Sequence, residues 1–318
     1  MTSVDDAKPD VGRLCDFILA PRRINLTTLK LAAKLGLKER VKTGVEEALR
    51  HRRGVEDIAG LLRNLFVSRN DKAIDSIEKI FENMRKKDLD QAIGIAVEGK
   101  HLARLYETKN LPAYVQSRLP VMEEEGEEDD VESRIPVRQL GDALMHGVLG
   151  NTHLVVPRGL LPGDDKKRNG KSNTNDDRCQ WTKLLLWSLI AERLDLAVLI
   201  LRKNRGPHPI GAALFCCCIL KRMHFLCEAA QSSELRSKEL MERCAFFESI
   251  AIKILDSCHK TSPYRTKFLL LQRLGEFGQK SALDLAHKGR HLYGQMKIFS
   301  ELCACAEWDT NNLAVGSI

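Results

Sequence analysis

The chain has 318 residues, enough to bury a substantial core, and is 43% apolar but only 5% aromatic, a Leu-rich balance that suits helix packing better than a β-sandwich or an RNA-binding sheet. Its formal charge of +7 is scattered among acidic residues along most helices and reads as solvated helix faces. Aromatic rings interleaved with basic residues, on which bases would stack, are missing, so no nucleic-acid partner is expected.

The opening MTSVDDAKPDVGR lacks the basic flank and apolar stretch of a targeting signal. With ten cysteines and no leader, a reducing, cytoplasmic compartment is expected, in which most thiols are small buried hydrophobes. Residues 1–10 read as a flexible start, and residues 11–120 as a first block of helical hairpins. Within it, Val55–Met84 is the clearest hairpin. Val55, Ile58, Ala59, Leu62, Leu65 and Phe66 form one helical stripe and Ile74, Ile77, Ile80, Phe81 and Met84 a second. Arg69-Asn70-Asp71 supplies the basic turn between them, with Asp71 as the expected helix cap. Lys87-Asp88-Leu89-Asp90 marks a further break, and Ile93, Ile95, Ala96, Leu102 and Leu105 lead on to Tyr106-Glu107-Thr108.

Residues 121–135 include EEEGEEDDVE, whose like charges repel and which has little to bury, so a disordered acidic loop is expected. Carboxylates are hard oxygen ligands for calcium, but the alternating ligands and terminal glutamate of an EF-hand are not there, and no metal is assigned. Residues 136–160 hold a short helix, Val137–Leu149, with Leu140, Leu144, Met145 and Val148 on one side, and a connector whose one alternating stretch is His153–Val156. Residues 161–178 are rich in Gly, Asn, Asp, Lys and Ser and read as a second disordered loop. Its Lys166-Lys167-Arg168 cluster is compatible with a localisation or lipid signal but is ordinary for a linker.

Residues 179–308 form the second hairpin block, followed by a flexible tail over 309–318. Gln180–Lys203 opens it with two apolar helices around Glu192-Arg193-Leu194-Asp195. Arg193 closes the first with positive charge and Asp195 is the expected cap of the second. Gly206-Pro207-His208-Pro209 must break the helix. Helices of about Ile210–Ala230 and Ser233–Cys258 then pair, Ser262-Pro263 restarts the chain into Tyr264–Phe277, and Ser281–Ala286 begins a last hairpin ending near Trp308. Trp181, Trp187, Leu189 and Trp308 are the expected packing anchors. The longest apolar runs, Leu184–Ile190 and Ala212–Leu220, fall short of the ~20 residues that cross a bilayer, so no transmembrane segment is expected. The fold class is therefore all-α, stacked helical hairpins in a solenoid-like array of two packed blocks.

Chemistry is sparse. Cys216-Cys217-Cys218, His224 and Cys227 invite a metal, but consecutive helical residues diverge by about 100°, so a buried helix face explains them better. Cys258-His259 and Cys303-Ala304-Cys305 are no better placed. There is no GxSxG or GxxxxGK[ST], and Gly275-Glu276-Phe277-Gly278 lacks a strand before it. No catalytic residue, cofactor or metal is assigned, and no enzyme is expected.

The ordered set of hairpins resembles the cytosolic region that precedes the pore in melastatin-type transient receptor potential channels. Thr28–Leu49, Val55–Met84, the LARLYETK run from Leu102 and Val137–Gly150 are similar to successive family elements. Leu185–Leu201 is similar to the family's tryptophan-containing helix and its partner, Ala212–Leu220 to the helix beyond, Glu242–Ser257 to the next, and Ser281–His287 to its "C-L-x-L-A" motif. The resemblance implies an assembly and coupling region of a calcium-permeable cation channel subunit, on the cytoplasmic face of a membrane, with other subunits as partners in a homotetramer. The family's pore and nucleotide-sensing region have no counterpart in this sequence, so the chain is expected to be an excerpt. The alternative is an unrelated ankyrin- or armadillo-like interaction adaptor, although a Thr-Pro-Leu-His start repeating near 33 residues is not seen.

Overall fold

The computed structural model describes residues 26–51, 53–119, 137–150, 156–163, 175–203 and 208–293. Among them every regular element is helical, and the one β-type pairing is an isolated bridge between Leu274 and Lys280. The expected start at Val11, the acidic loop, most of the second polar loop, His153–Val155, Cys303–Trp308 and the tail lie outside the described residues. The chain divides into two compact units, one reaching Ala96 and the other beginning at Val97.

The first unit consists of α1 (Leu26–Leu35), α2 (Lys38–Ala48), α3 (Gly54–Val67), α4 (Asp71–Asn83) and α5 (Lys86–Ala96). α1 lies against α2 and α4, and α3 against α4 and α5. Most of the expected stripes point inward: Ile58, Ala59, Leu62, Leu65 and Phe66 of α3 and Ile77, Ile80 and Phe81 of α4 are all buried, with Met84. The α1–α2 turn passes through Gly36 at φ 71, where the Leu37 N–H returns to the Ala32 carbonyl at 3.0 Å. This closes the orphan carbonyls of α1 in a left-handed cap that glycine adopts without steric cost. Asn70, not Asp71, caps α4: its Oδ1 accepts from the Lys72 N–H at 3.0 Å while its Nδ2 donates to the Lys34 carbonyl at 3.3 Å. Asp71 is the first helical residue, one position too late to cap.

The second unit contains α6 (Gly99–Leu105), α7 (Ala113–Gln116), α8 (Val137–Ala143), which runs into a π-helical turn over Leu144–Leu149, α9 (Asn175–Ile190), α10 (Leu194–Lys203), α11 (Pro209–Ala229), α12 (Glu234–Thr261), α13 (Pro263–Leu271) and α14 (Ala282–Tyr293). Residues 97–119, assigned by sequence to the first block, pack here, because two polar locks described below bind them to α9 and its turn. The centre of the unit is α11. It packs against α12, α14, α9, α7 and the π turn, and every residue from Ile210 to Lys221 is buried. The run Ala212–Leu220 thus belongs to a 21-residue helix long and apolar enough by length and composition to cross a membrane. Its surroundings account for that composition, since a helix apolar on all sides must be enclosed on all sides.

α11 begins where the Pro-rich break predicts a new start. Pro209 occupies the first helical position, where a missing N–H costs nothing. His208 caps the helix: its Nδ1 accepts from the Gly211 N–H at 3.4 Å and its Nε2 faces the Leu269 carbonyl. Both contacts need a neutral ring protonated at Nε2. Ser262 and Pro263 repeat the arrangement at α13, with Ser262 Oγ accepting from the Arg265 N–H. Ser281 and Asp284 form a reciprocal box at α14, each side chain accepting from the other's backbone N–H at 3.0–3.1 Å.

Burial pushes the His208 pKa below its ordinary 6.5, more than the Leu269 carbonyl and Glu276 raise it. A histidine whose folded pKa is depressed keeps its full contribution above the unfolded value and loses it as pH falls below that value, because only the unfolded chain takes up the proton. The melting temperature should therefore fall between about pH 7.5 and pH 5.5, and a His208→Asn variant, which retains a capping carbonyl, should fall less. Parallel thermal scans of both proteins at the two pH values test this.

Candidate functional site at the Glu192 turn

Α-helical hairpins meet at turns, and the turn between α9 and α10 carries Glu192, a side chain bonded to two other helices. Glu192 has φ 55, a left-handed conformation that costs a non-glycine residue about 1–2 kcal/mol. The backbone closes as at Gly36: the Arg193 N–H returns to the Ser188 carbonyl at 2.7 Å, and Glu192 N–H to Leu189 at 3.2 Å. Gln231, after α11, repeats this at φ 49, with the Ser232 N–H on the Cys227 carbonyl at 3.0 Å.

Unlike exposed Gln231, Glu192 holds a carboxylate that is only 3% exposed. The Tyr114 hydroxyl of α7 donates to its Oε1 at 2.5 Å, and Arg236 of α12 donates to Oε2 from Nε at 2.7 Å and from Nη2. Arg236 Nη1 also reaches Glu239 at 3.1 Å. One carboxylate thereby ties α7, the α9–α10 turn and α12 together through charge-assisted bonds. Burial, and then the Glu192 charge, push the Tyr114 pKa far above its usual value, and the hydrogen bond that Arg236 donates to Glu192 raises its own. The phenol therefore stays protonated as donor and the guanidinium charged. Beside this lock a groove of about 450 Å³ is lined by Glu192, Leu194, Asp195, Arg236, Glu239 and Arg243, among others.

Asp195 is the second residue of α10, inside the first turn instead of at its cap. There its carboxylate faces the positive end of the helix, and Arg243 Nη2 lies 3.5 Å away. Trp187 is 1% exposed, Leu189 0% and Trp181 5%, and Trp308 lies outside the described residues. Trp187 does more than fill space, since its Nε1 donates at 2.8 Å to the carbonyl of Leu105 at the C-terminus of α6, an orphan acceptor that Asn110 Nδ2 also approaches at 3.3 Å. A third lock joins Arg222 Nε of α11 to the Val148 carbonyl at 2.7 Å. Gly150, at φ 53, lets the guanidinium in, for a Cβ there would stand 2.8 Å from Arg222 Nη2.

The cysteine run serves packing, with two of its thiols facing different helices. Cys217 Sγ lies 3.4 Å from the Cys244 carbonyl on α12, and Cys218 Sγ 3.6 Å from the Leu285 carbonyl on α14. Burial pushes the Cys218 thiol up to about 12 and Cys216 well above its usual range, which keeps both protonated and unreactive. His224 is engaged by the Ser237 hydroxyl, with Nδ1 to Oγ at 2.8 Å, and by Glu228 at 3.4 Å. Among the described residues no cluster of histidine, cysteine and carboxylate side chains is arranged to hold a metal.

Residues 158–293, which lie within the second unit and include the Glu192 turn, match the family described as the TRPM2-like domain. Over 141 residues the chain is 30% identical to the transient receptor potential cation channel subfamily M member 4 of Rattus norvegicus, covering 44% of this chain and 11% of that protein. It is 28% identical over 103 residues to the transient receptor potential cation channel subfamily M member-like 2 of Nematostella vectensis, covering 32% of this chain and 6% of that one. The chain thus spans a small fraction of the length of these relatives. This stretch is thus similar to a melastatin-type transient receptor potential channel region, and both relatives are named as cation channels.

Replacing the two strained turn residues should have opposite effects. Gln231→Gly relieves the left-handed cost and should stabilise the protein by about 1 kcal/mol. Glu192→Gly relieves the same cost but strands the Tyr114 hydroxyl and should destabilise by about 1–3 kcal/mol. Denaturant titration of both variants decides, and equal stabilisation would remove Glu192 as a lock. Trp187→Phe should cost about 1–3 kcal/mol, while an unchanged midpoint would make its hydrogen bond irrelevant.

Proposed function

We propose that this melastatin-type region, TRPM2-like over residues 158–293, is a cytosolic assembly and coupling element of a calcium-permeable cation channel subunit. Its place is the cytoplasmic face of the membrane, and its partners are other subunits of the same family in a homotetramer. The observation that carries the reading is the family match laid over the fold: the matched stretch holds α9 to α14, which pack around one apolar helix, and polar bonds from Trp187, Glu192 and Arg222 join it to the residues before it. Hairpins joined in this way move as packed bodies, which suits an element that passes displacement from one surface to another. No catalytic role is proposed, in keeping with relatives named as cation channels. An unrelated ankyrin- or armadillo-like adaptor is disfavoured by the same match.

Assembly is the testable half of the proposal. The purified chain should scatter light at a multiple of its 35.9 kDa mass at high concentration, with the fraction rising with concentration. A strict monomer at every concentration would withdraw the assembly role from this region.

A further inference from the structure

Nothing buried anchors the joint between α12 and α13. Leu255 is the last buried residue of α12 and Thr266 the first of α13, and residues 256–265 between them are all exposed or half-buried. Such a stretch opens locally at little cost, because unwinding it uncovers no apolar side chain of the core.

Within it lies Ser262-Pro263-Tyr264-Arg265. The chain has ten prolines, and Pro263 alone follows a serine or threonine. The backbone at Ser262 is extended, with φ −161 and ψ 97, as the ring of the next proline favours. Its Oγ accepts a long bond from the Arg265 N–H at 3.4 Å, which uses an oxygen lone pair and leaves the O–H itself to be given elsewhere.

Each part of this tetrapeptide suits phosphoryl transfer. An extended backbone presents Oγ to an active-site base. Proline after the acceptor has no N–H, so an enzyme pocket that offers no hydrogen-bond acceptor there takes proline and rejects other residues, whose N–H would be stranded. Arg265, exposed and three residues beyond Ser262, supplies a cation for an anionic subsite. The product fits as well. Between Asp256 and Glu276 the chain has no carboxylate, while Lys260, Arg265, Lys267 and Arg273 fall in that span, so a phosphate at position 262 meets cations and no like charge along this stretch of chain.

We propose that Ser262 is a phosphorylation site for a proline-directed serine/threonine kinase that selects a basic residue three positions after the acceptor. Ser262 Oγ attacks the γ-phosphorus of magnesium-bound ATP. The new Oγ–P bond replaces the bond to the β–γ bridging oxygen, ADP leaves, and the hydroxyl proton passes to a base of the kinase. The phosphate oxygens then take over the Arg265 N–H and draw in the Lys260 and Arg265 side chains, which stiffens the joint between α12 and α13.

The full-length chain, incubated with a recombinant cyclin-dependent kinase, its cyclin and magnesium ATP and mapped by mass spectrometry, tests this. Phosphate should accumulate at Ser262, be absent from Ser262→Ala, and form at least about tenfold more slowly in Pro263→Ala. A synthetic peptide of residues 257–268 reports on the motif without the fold. If the peptide is phosphorylated and Ser262 of the folded chain is not, the joint withholds its hydroxyl and the proposal is overturned. No phosphate on either would overturn it too, as would equal rates for Pro263→Ala and the parent chain. Should Pro263→Ala fail to fold, Arg265→Ala at an exposed position takes its place, with slower transfer again expected and an equal rate again decisive against the site. In the phosphorylated chain, amide exchange at residues 264–267 should slow about threefold, and unchanged exchange would remove the stiffened joint.

Discussion

Enclosing α11 is the constraint on which the second unit depends. A helix with no polar face over Ile210–Lys221 has nowhere to present to water, so neighbours must cover it on every side. α9 takes one side, α12 another, and α14 a third. α9 is likewise buried all round from Trp181 to Ile190, with Thr182, Lys183 and Ser188 enclosed among its apolar residues. An amphipathic helix of this unit such as α10 then needs only one inward stripe. The order of apolar and amphipathic helices along the chain is in this way the order of inner and outer positions in the fold.

Apolar burial alone would leave that packing free to slip, and three polar locks restrict it. Trp187 to Leu105, Tyr114 and Arg236 to Glu192, and Arg222 to Val148 each join a side chain to a group at a turn or helix end in another element. Helix ends carry unpaired carbonyls, so a donor that finds one fixes both position and direction. The Trp187 bond is fully buried, so breaking it would strand a polar group, whereas those of Tyr114 and Arg222 are part-buried and that of Arg236 reaches the surface.

Local pattern was enough to find the helices and most of their inward faces. The stripes of Val55–Met84, the pairing of α11 with α12, and the restarts at Pro209 and Ser262-Pro263 all follow from spacing and from what proline does to a backbone. The locks were not legible, because Tyr114 and Glu192 are 78 residues apart and Trp187 and Leu105 are 82 apart, and nothing in either local sequence names the partner. This is also why residues 97–119 were assigned by sequence to the wrong block. The caps failed by one residue at Asp71, for a related reason: in Asn70-Asp71 both side chains can cap, and the choice is made by the Lys34 carbonyl that only Asn70 Nδ2 can reach as a donor.

The left-handed turns separate local cost from global purpose. At Gly36 the sequence meets the demand of the backbone with the residue that adopts it freely. At Glu192 it does not, and the strain is held by Tyr114 and Arg236, which pull the carboxylate inward while the backbone turns outward. Gln231 lies exposed at the surface and forms the same left-handed turn without the lock. A strained residue held by a buried tyrosine on one helix and a half-exposed arginine on another ties the turn to both α7 and α12. The α9–α10 turn that they hold lies inside the stretch that matches the channel family.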